Sequence, residues 1–144
     1  MSIQNNLKNG IKNGLSVSLK LIKVIIPFYI ATDILSHTQA ANIIGKALAP
    51  LMEPLGLTGK MAVAIISGYL VNLYAAIAAL VPLHPTWQQI TIVGLMTGIA
   101  HNLIIEGAVL HKTGTNAAFT ITLRIIVSIV AGLGLNAFFR FVYG

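Results

Sequence analysis

The chain has 144 residues, enough for one domain and too few for two ordinary ones. It is 56% hydrophobic and only 8% charged, with a mean hydropathy of +0.87, whereas a soluble domain carries about 25% charged residues; this composition is that of an integral membrane protein. The formal net charge of +6 is not gathered into a basic patch interleaved with aromatics, which excludes a nucleic-acid partner, and the absence of cysteine excludes disulfides, thiolate metal sites and a cysteine nucleophile.

Residues 1–13 are polar, rich in Asn and Lys, and are expected to form a frayed or interfacial segment ahead of a single membrane domain over 14–144. From Gly14 the chain turns apolar. Ser16, Lys20 and Lys23 share one face, as in an interfacial helix that runs into a membrane helix ending near Leu35. On this reading both lysines extend their ammonium groups to lipid headgroups, and Asp33 at the far end is interfacial.

Thr38 is a suitable N-cap for a short amphipathic helix over 39–49, with Ile43, Ile44, Ala47 and Leu48 on one side and Asn42 and Lys46 on the other. Pro50 and Pro54 bracket its exit and Gly56 ends the connection. Such a segment is too short to span a bilayer and should lie along its surface.

Lys60 to Leu83 is apolar enough for one crossing, which takes about twenty residues. It is equally compatible with a re-entrant hairpin of two half-helices broken around Ser67-Gly68-Tyr69, with Asn72 and Tyr74 just past the break. Periodicity does not separate the two. Pro82, His84 and Pro85 then make a turn, Thr86 and Gln89 form a capping-box pattern, and Trp87 suits the membrane interface.

A helix is expected from Trp87 to His111. On it Gly94, Gly98, Asn102 and Glu106 follow at i, i+4 steps, a polar stripe on an apolar rod with His101 beside it. Gly94-x3-Gly98 allows close approach of another helix. Gly68-x3-Asn72-Leu73-x4-Ala78-x-Leu80 aligns without gaps on Gly98-x3-Asn102-Leu103-x4-Ala108-x-Leu110, so the two asparagines are paired by sequence. After a polar turn over 111–114, Thr115 or Asn116 can cap a last helix reaching about Tyr143. There Asn116, Thr120, Arg124, Ser128, Gly132, Asn136 and Arg140 form a slowly winding polar seam.

Ionisable groups at membrane depth cost about 2.5–3.5 kcal/mol each and so mark candidate sites. Glu106 and Arg124 stand a few residues either side of the 111–115 turn and are placed to meet, either as a structural ion pair or as part of a substrate or ion path. His101, Asn102 and Glu106 together point to a polar cavity, and Asn72 and Tyr74 either make interhelical hydrogen bonds or face that same site. His37, His84 and His111 fall in predicted turns and are expected to be solvated. His101 and Glu106, at i, i+5, are poorly aligned for a metal; no metal or cofactor is expected, and no phosphate-binding loop, nucleophile elbow or metal-ligand motif supports an enzyme.

Leu48-Ala49-Pro50-Leu51, Leu55-Gly56-Leu57-Thr58-Gly59, Gly68-Tyr69-Leu70-Val71-Asn72-Leu73-Tyr74-Ala75-Ala76-Ile77, Ile99-Ala100-His101-Asn102-Leu103-Ile104-Ile105-Glu106 and Lys112-Thr113-Gly114 together resemble the nucleoside recognition (Gate) domain family of bacterial membrane proteins, over roughly 15–140. The family includes the spore maturation proteins A and B, and its domain is similar to membrane parts of concentrative nucleoside transporters and of the ferrous iron transporter B. The resemblance implies a hairpin over 60–82 and a broken helix over 87–110, with substrate handled where their ends converge. The larger transporters hold this unit twice in inverted orientation, whereas this sequence has one copy, so a complete transporter would need a second subunit. The GTPase and membrane cysteine of the iron transporters are absent, which argues against iron.

These readings together give an all-α membrane protein of about three spans, a re-entrant hairpin or fourth span, and a short interfacial helix. Its expected role is the half-unit of a small-solute transporter, nucleoside-like solutes included, in a bacterial cytoplasmic membrane. Its expected partners are the lipid bilayer, the solute, and either a second copy, parallel or antiparallel, or a paralogous Gate subunit. Asn72, Tyr74, His101, Asn102 and Glu106 would line the site, with Glu106 as proton or cation carrier and Arg124 as its tuning partner. Basic residues at the membrane ends divide five to three, a modest bias that permits dual topology and, if fixed, places the N-terminus in the cytoplasm. The alternative is a structural or interaction membrane protein whose seam only glues helices together.

Overall fold

Among the described residues, three stretches are long and apolar enough to cross a bilayer: Asn5–Leu35, Trp87–Lys112 and Ala117–Tyr143, with mean hydropathies of 1.6, 1.5 and 2.0. They belong to an all-α membrane protein. The structure, a computed structural model, describes residues 3–143; Met1 and Ser2 of the polar segment, and Gly144 at the end of the membrane domain, lie outside the described residues. The helices are α1 (Ile3–Ser36), α2 (Gln39–Met52), α3 (Ala62–Leu70), α4 (Leu73–Leu80), α5 (Trp87–Ile99), α6 (Leu103–Lys112) and α7 (Ala117–Tyr143).

The polar start is helical from Ile3 and continuous with the first span, so of the two expectations, frayed or interfacial, the frayed one does not hold. Once the apolar span has formed a helix, each added residue gains a hydrogen bond without a new nucleation cost. Residues 5–20 remain exposed, and α1 engages the rest of the chain through its second half, against α4.

Thr38 stands at the N-cap of α2 in extended conformation, but its hydroxyl donates back to Leu35 O at 2.7 Å, closing the end of α1. After α2 the chain turns through Glu53–Leu55 and Gly56, which adopts φ +73, a left-handed conformation natural to glycine. The axis then bends by 93° between Gln39–Leu55 and Gly59–Leu70. A Cβ on Gly59 would collide with the backbone carbonyl of Gly45, so α2 crosses the foot of α3 at backbone contact, lying across the helices that enter the membrane.

Residues 60–82 form the hairpin and not a continuous span. α3 and α4 pack against each other, α4 also packs against α1, and Ala64, Ala75, Ala76, Ala78 and Ala79 are all buried; small side chains allow such close approach, and a Cβ on Gly68 would lie 3.0 Å from Ala76 Cβ. The break falls at Val71–Asn72, past the expected Ser67-Gly68-Tyr69. The reason is chemical: Asn72 takes an extended conformation and its Oδ1 accepts from Ala75 N at 2.9 Å, making it the N-cap of α4. Gly68 stays helical and serves packing, since a Cβ there would lie 2.6 Å from Thr97 Cγ2 of α5.

The foot of α3, the end of α4 and the end of α1 meet around one cleft, so the hairpin enters and leaves on the same side. Residues 59–70 extend ~18 Å at about 1.5 Å per residue, roughly half the thickness of a bilayer of about 30 Å. Trp87 at the start of α5 stacks edge-on against Phe139 and Tyr143 at the end of α7, with centroids 5.1 and 5.4 Å apart, which fixes these two helices antiparallel. The core joins Leu55, Leu57, Met61 and Ile65 to Ala79, Leu80, Ile92, Val93 and Met96.

Candidate functional site

The expected single helix over Trp87–His111 is two helices. α5 ends at Ile99, residues 100–102 leave the helical path, and α6 starts at Leu103. This agrees with the broken helix that the family resemblance implies and interrupts the continuous stripe from Gly94 to Glu106. At the break Asn102 has φ +60, a left-handed conformation that asparagine tolerates better than other side chains.

A break at membrane depth exposes the last carbonyls of one helix and the first amides of the next, and water cannot satisfy them there. Met96 O accepts from Ala100 N at 3.1 Å and from Ser128 Oγ at 2.9 Å. Gly98 O accepts from His101 Nδ1 at 3.1 Å, and Ile99 O accepts from Arg124 Nε at 2.9 Å. The break is docked onto the hairpin as well, because Asn102 N donates to Gly68 O at 3.2 Å. Hairpin tip and helix break therefore meet at one level.

Arg124 also pairs through Nη1 with Glu106 Oε2, as the sequence reading anticipated. Its positive charge faces the carbonyl end of α5, while Glu106 sits in the first turn of α6, so each charge opposes the partial charge of the helix terminus beside it. His101 Nε2 lies 4.0 Å from Glu106 Oε1. His101, Asn102, Glu106 and Arg124 thus form one cluster. Asn72 and Tyr74 do not join it: Asn72 caps its own helix, and Tyr74 stands exposed in the first turn of α4, without a hydrogen bond among the described residues.

Within the cluster one polar atom is left over. Asn102 Oδ1 is shielded from solvent and has no hydrogen-bond partner among the described residues. The two sequence-paired asparagines both stand at the N-cap of a half-helix, yet only Asn72 uses its side chain as a cap.

Two features were missed in the sequence. Tyr69 OH donates to Ser128 Oγ, which donates to Met96 O, linking α3, α7 and α5; Ser128 was visible in the winding seam, but nothing indicated Tyr69 as its partner. Asn136, from the same seam, donates to Pro54 O at 2.8 Å and holds the turn after α2. Gly94 and Gly98, read as a packing face, look onto open space: a Cβ at either would meet nothing within 4 Å.

The sequence profile described as Gate, nucleoside recognition, matches residues 18–135. This chain belongs to the Gate family. An uncharacterized membrane protein YvoD from Bacillus subtilis (strain 168) is 32% identical over 114 residues, which are 79% of this Gate chain and 36% of the relative. The chain thus spans little more than a third of that protein's length. No solved structure matches it.

Proposed function

We propose that this Gate domain is one half of a membrane transporter for a small solute, nucleoside-like solutes among them, completed by a second Gate unit in a homodimer, antiparallel or not, or by a paralogous subunit. The carrying observation is the unpartnered Oδ1 of Asn102, at the point where a re-entrant hairpin meets a broken helix. A buried acceptor without a partner costs about 1–3 kcal/mol, and such groups concentrate where a ligand supplies the missing donor. Discontinuous helices at membrane depth are also how transporters expose backbone and charge to a substrate.

In this reading Asn102 accepts from a hydroxyl, amide or ring N–H of the solute. Glu106 carries a proton or cation, Arg124 is its tuning partner through the ion pair between them, and His101 supplies a second polar edge. Asn72 and Tyr74 take part only from the hairpin side, through movement of its tip. The open Gly94 and Gly98 face supports a second helix-bearing subunit. No bond-making chemistry is proposed. We place the protein in a bacterial cytoplasmic membrane, and Lys8, Lys12, Lys20, Lys23 and Lys112 against Lys46, Lys60 and Arg140 favour a cytoplasmic N-terminus.

The test is uptake of labelled nucleosides, nucleobases and amino acids into proteoliposomes. Uptake by the parent that is lost in Asn102→Gly and Glu106→Gln, both still folded, supports the reading; equal uptake by parent and variants overturns it. One observation favours a structural role for part of the seam: Arg124, Ser128 and Asn136 all donate to backbone carbonyls of other helices or turns. On the alternative of a membrane scaffold, these bonds are the whole purpose of the polar residues and no solute is taken up.

A further inference from the structure

At the hairpin's feet, well away from the cluster around Asn102, lies a cleft of about 660 Å³, within the range of small-ligand sites. Its charged and titratable lining comes from four different elements: Asp33 and His37 from the end of α1, Lys46 from α2, Lys60 from the foot of α3, and His84 from the turn after α4. The sequence assigned each a separate bland role, as interfacial acid, solvated histidine or membrane anchor. The fold puts them around one opening.

The geometry that does this is specific. Gly59 has no side chain because the Gly45 carbonyl occupies the place where one would stand, and a Cβ on Gly45 would lie 3.1 Å from Lys60 Cγ. The crossing of α2 over α3 therefore brings Lys46, next in sequence to Gly45, to the same cleft as Lys60. Among the described residues Asp33 is the one carboxylate lining the cleft, and His37 Nε2, 3.7 Å from its Oδ1, is one of its neighbours. Two lysines against one carboxylate leave the cleft positive.

We propose that this cleft binds a phosphate group, with Lys46 and Lys60 as its cationic wall and His37 and His84 as hydrogen-bond donors. α2 lies at 93° to the entering half-helix, which puts the cleft at the membrane surface, where the phosphate can come from a lipid headgroup or from a soluble phosphate ester. The site is independent of the transport reading.

The experiment uses delipidated full-length protein in neutral detergent, with thermal unfolding followed as two probes are added: glycerol 3-phosphate and dihexanoyl phosphatidylglycerol. Saturable stabilisation by glycerol 3-phosphate identifies a soluble ester as sufficient; stabilisation by the short lipid alone identifies a headgroup. In either case Lys46→Gln and Lys60→Gln should weaken the apparent affinity by about tenfold or more each, as expected for loss of a charge-assisted contact, while Lys112→Gln at the other membrane end should leave it unchanged. Lys60→Arg, which keeps the charge, should retain binding and controls for folding. The proposal is overturned if neither probe stabilises the protein saturably, or if Lys112→Gln weakens binding as much as the cleft variants.

Discussion

Arg124 bridges the break between α5 and α6: its Nε donates to Ile99 O at 2.9 Å on one side, and its Nη1 pairs with Glu106 on the other. One side chain from α7 thereby answers both termini that the break creates. Removing it leaves a carbonyl and a carboxylate without their partner, whereas neutralising Glu106 leaves the bond to Ile99 intact. Arg124→Gln should therefore lower unfolding stability in detergent by about 2 kcal/mol, and Glu106→Gln by about 1 kcal/mol, both partners being partly exposed. Denaturant titration of both variants checks the order, and a larger loss in Glu106→Gln would contradict it.

The glycines should divide into two classes. A Cβ on Gly132 would lie 2.7 Å from Met96 Sδ, and one on Gly68 would lie 2.6 Å from Thr97 Cγ2. Gly132→Ala and Gly68→Ala should each cost about 1–3 kcal/mol through overpacking. Gly94→Ala, in open space within a helix, should be neutral or gain up to about 1 kcal/mol from helix propensity. Thermal unfolding of the three variants at a concentration that keeps the protein monomeric gives the comparison.

Ser128 and Tyr69 should behave as a coupled pair. Ser128→Ala strands the Tyr69 hydroxyl and frees Met96 O from its second donor, at about 1–3 kcal/mol. Once Tyr69→Phe has removed the hydroxyl, the same Ser128 change should cost less, and additive losses in the double-mutant cycle would show the contact to be energetically idle.

The hairpin predicts a labelling pattern that is independent of which way the protein inserts. The chain has no cysteine, so single cysteines at Thr58, His84 and Thr113 report cleanly. Thr58 and His84, at the two feet, should share one ratio of inside to outside labelling, and Thr113 should show the inverse ratio. Opposite ratios at Thr58 and His84 would make 60–82 a full crossing.

Much of this fold was legible because its determinants are local. Composition marks the membrane class, Thr86 and Gln89 form the capping box they announce, and Glu106 and Arg124 meet because they flank one short turn. The repeated Gly-x3-Asn-Leu pattern was informative for a reason that only the structure supplies: each asparagine stands where a second half-helix begins, before Leu73 and before Leu103. Periodicity could not locate the breaks, since each half-helix keeps its apolar character and the stripe from Gly94 to Glu106 continues through residues that are not helical. The cleft around Lys46 and Lys60 was illegible because it depends on a 93° bend and on the Gly45–Gly59 backbone contact, neither of which leaves a periodic trace.

The unpartnered Asn102 Oδ1 makes the most direct demand. If the residue is kept for a ligand, it is held at the expense of stability, with a buried acceptor unmet and a non-glycine residue at φ +60. Asn102→Gly relieves both, and should leave the ligand-free protein as stable as the parent or more so by about 1 kcal/mol. The deciding measurement is thermal unfolding of parent and Asn102→Gly across a panel of nucleosides, nucleobases and amino acids. A ligand at about a hundred times its dissociation constant adds about 2.7 kcal/mol to the parent. The account predicts such a response in the parent and its loss in the undamaged variant; a ligand that stabilises both equally, or a variant that unfolds early with no ligand response in the parent, would contradict it.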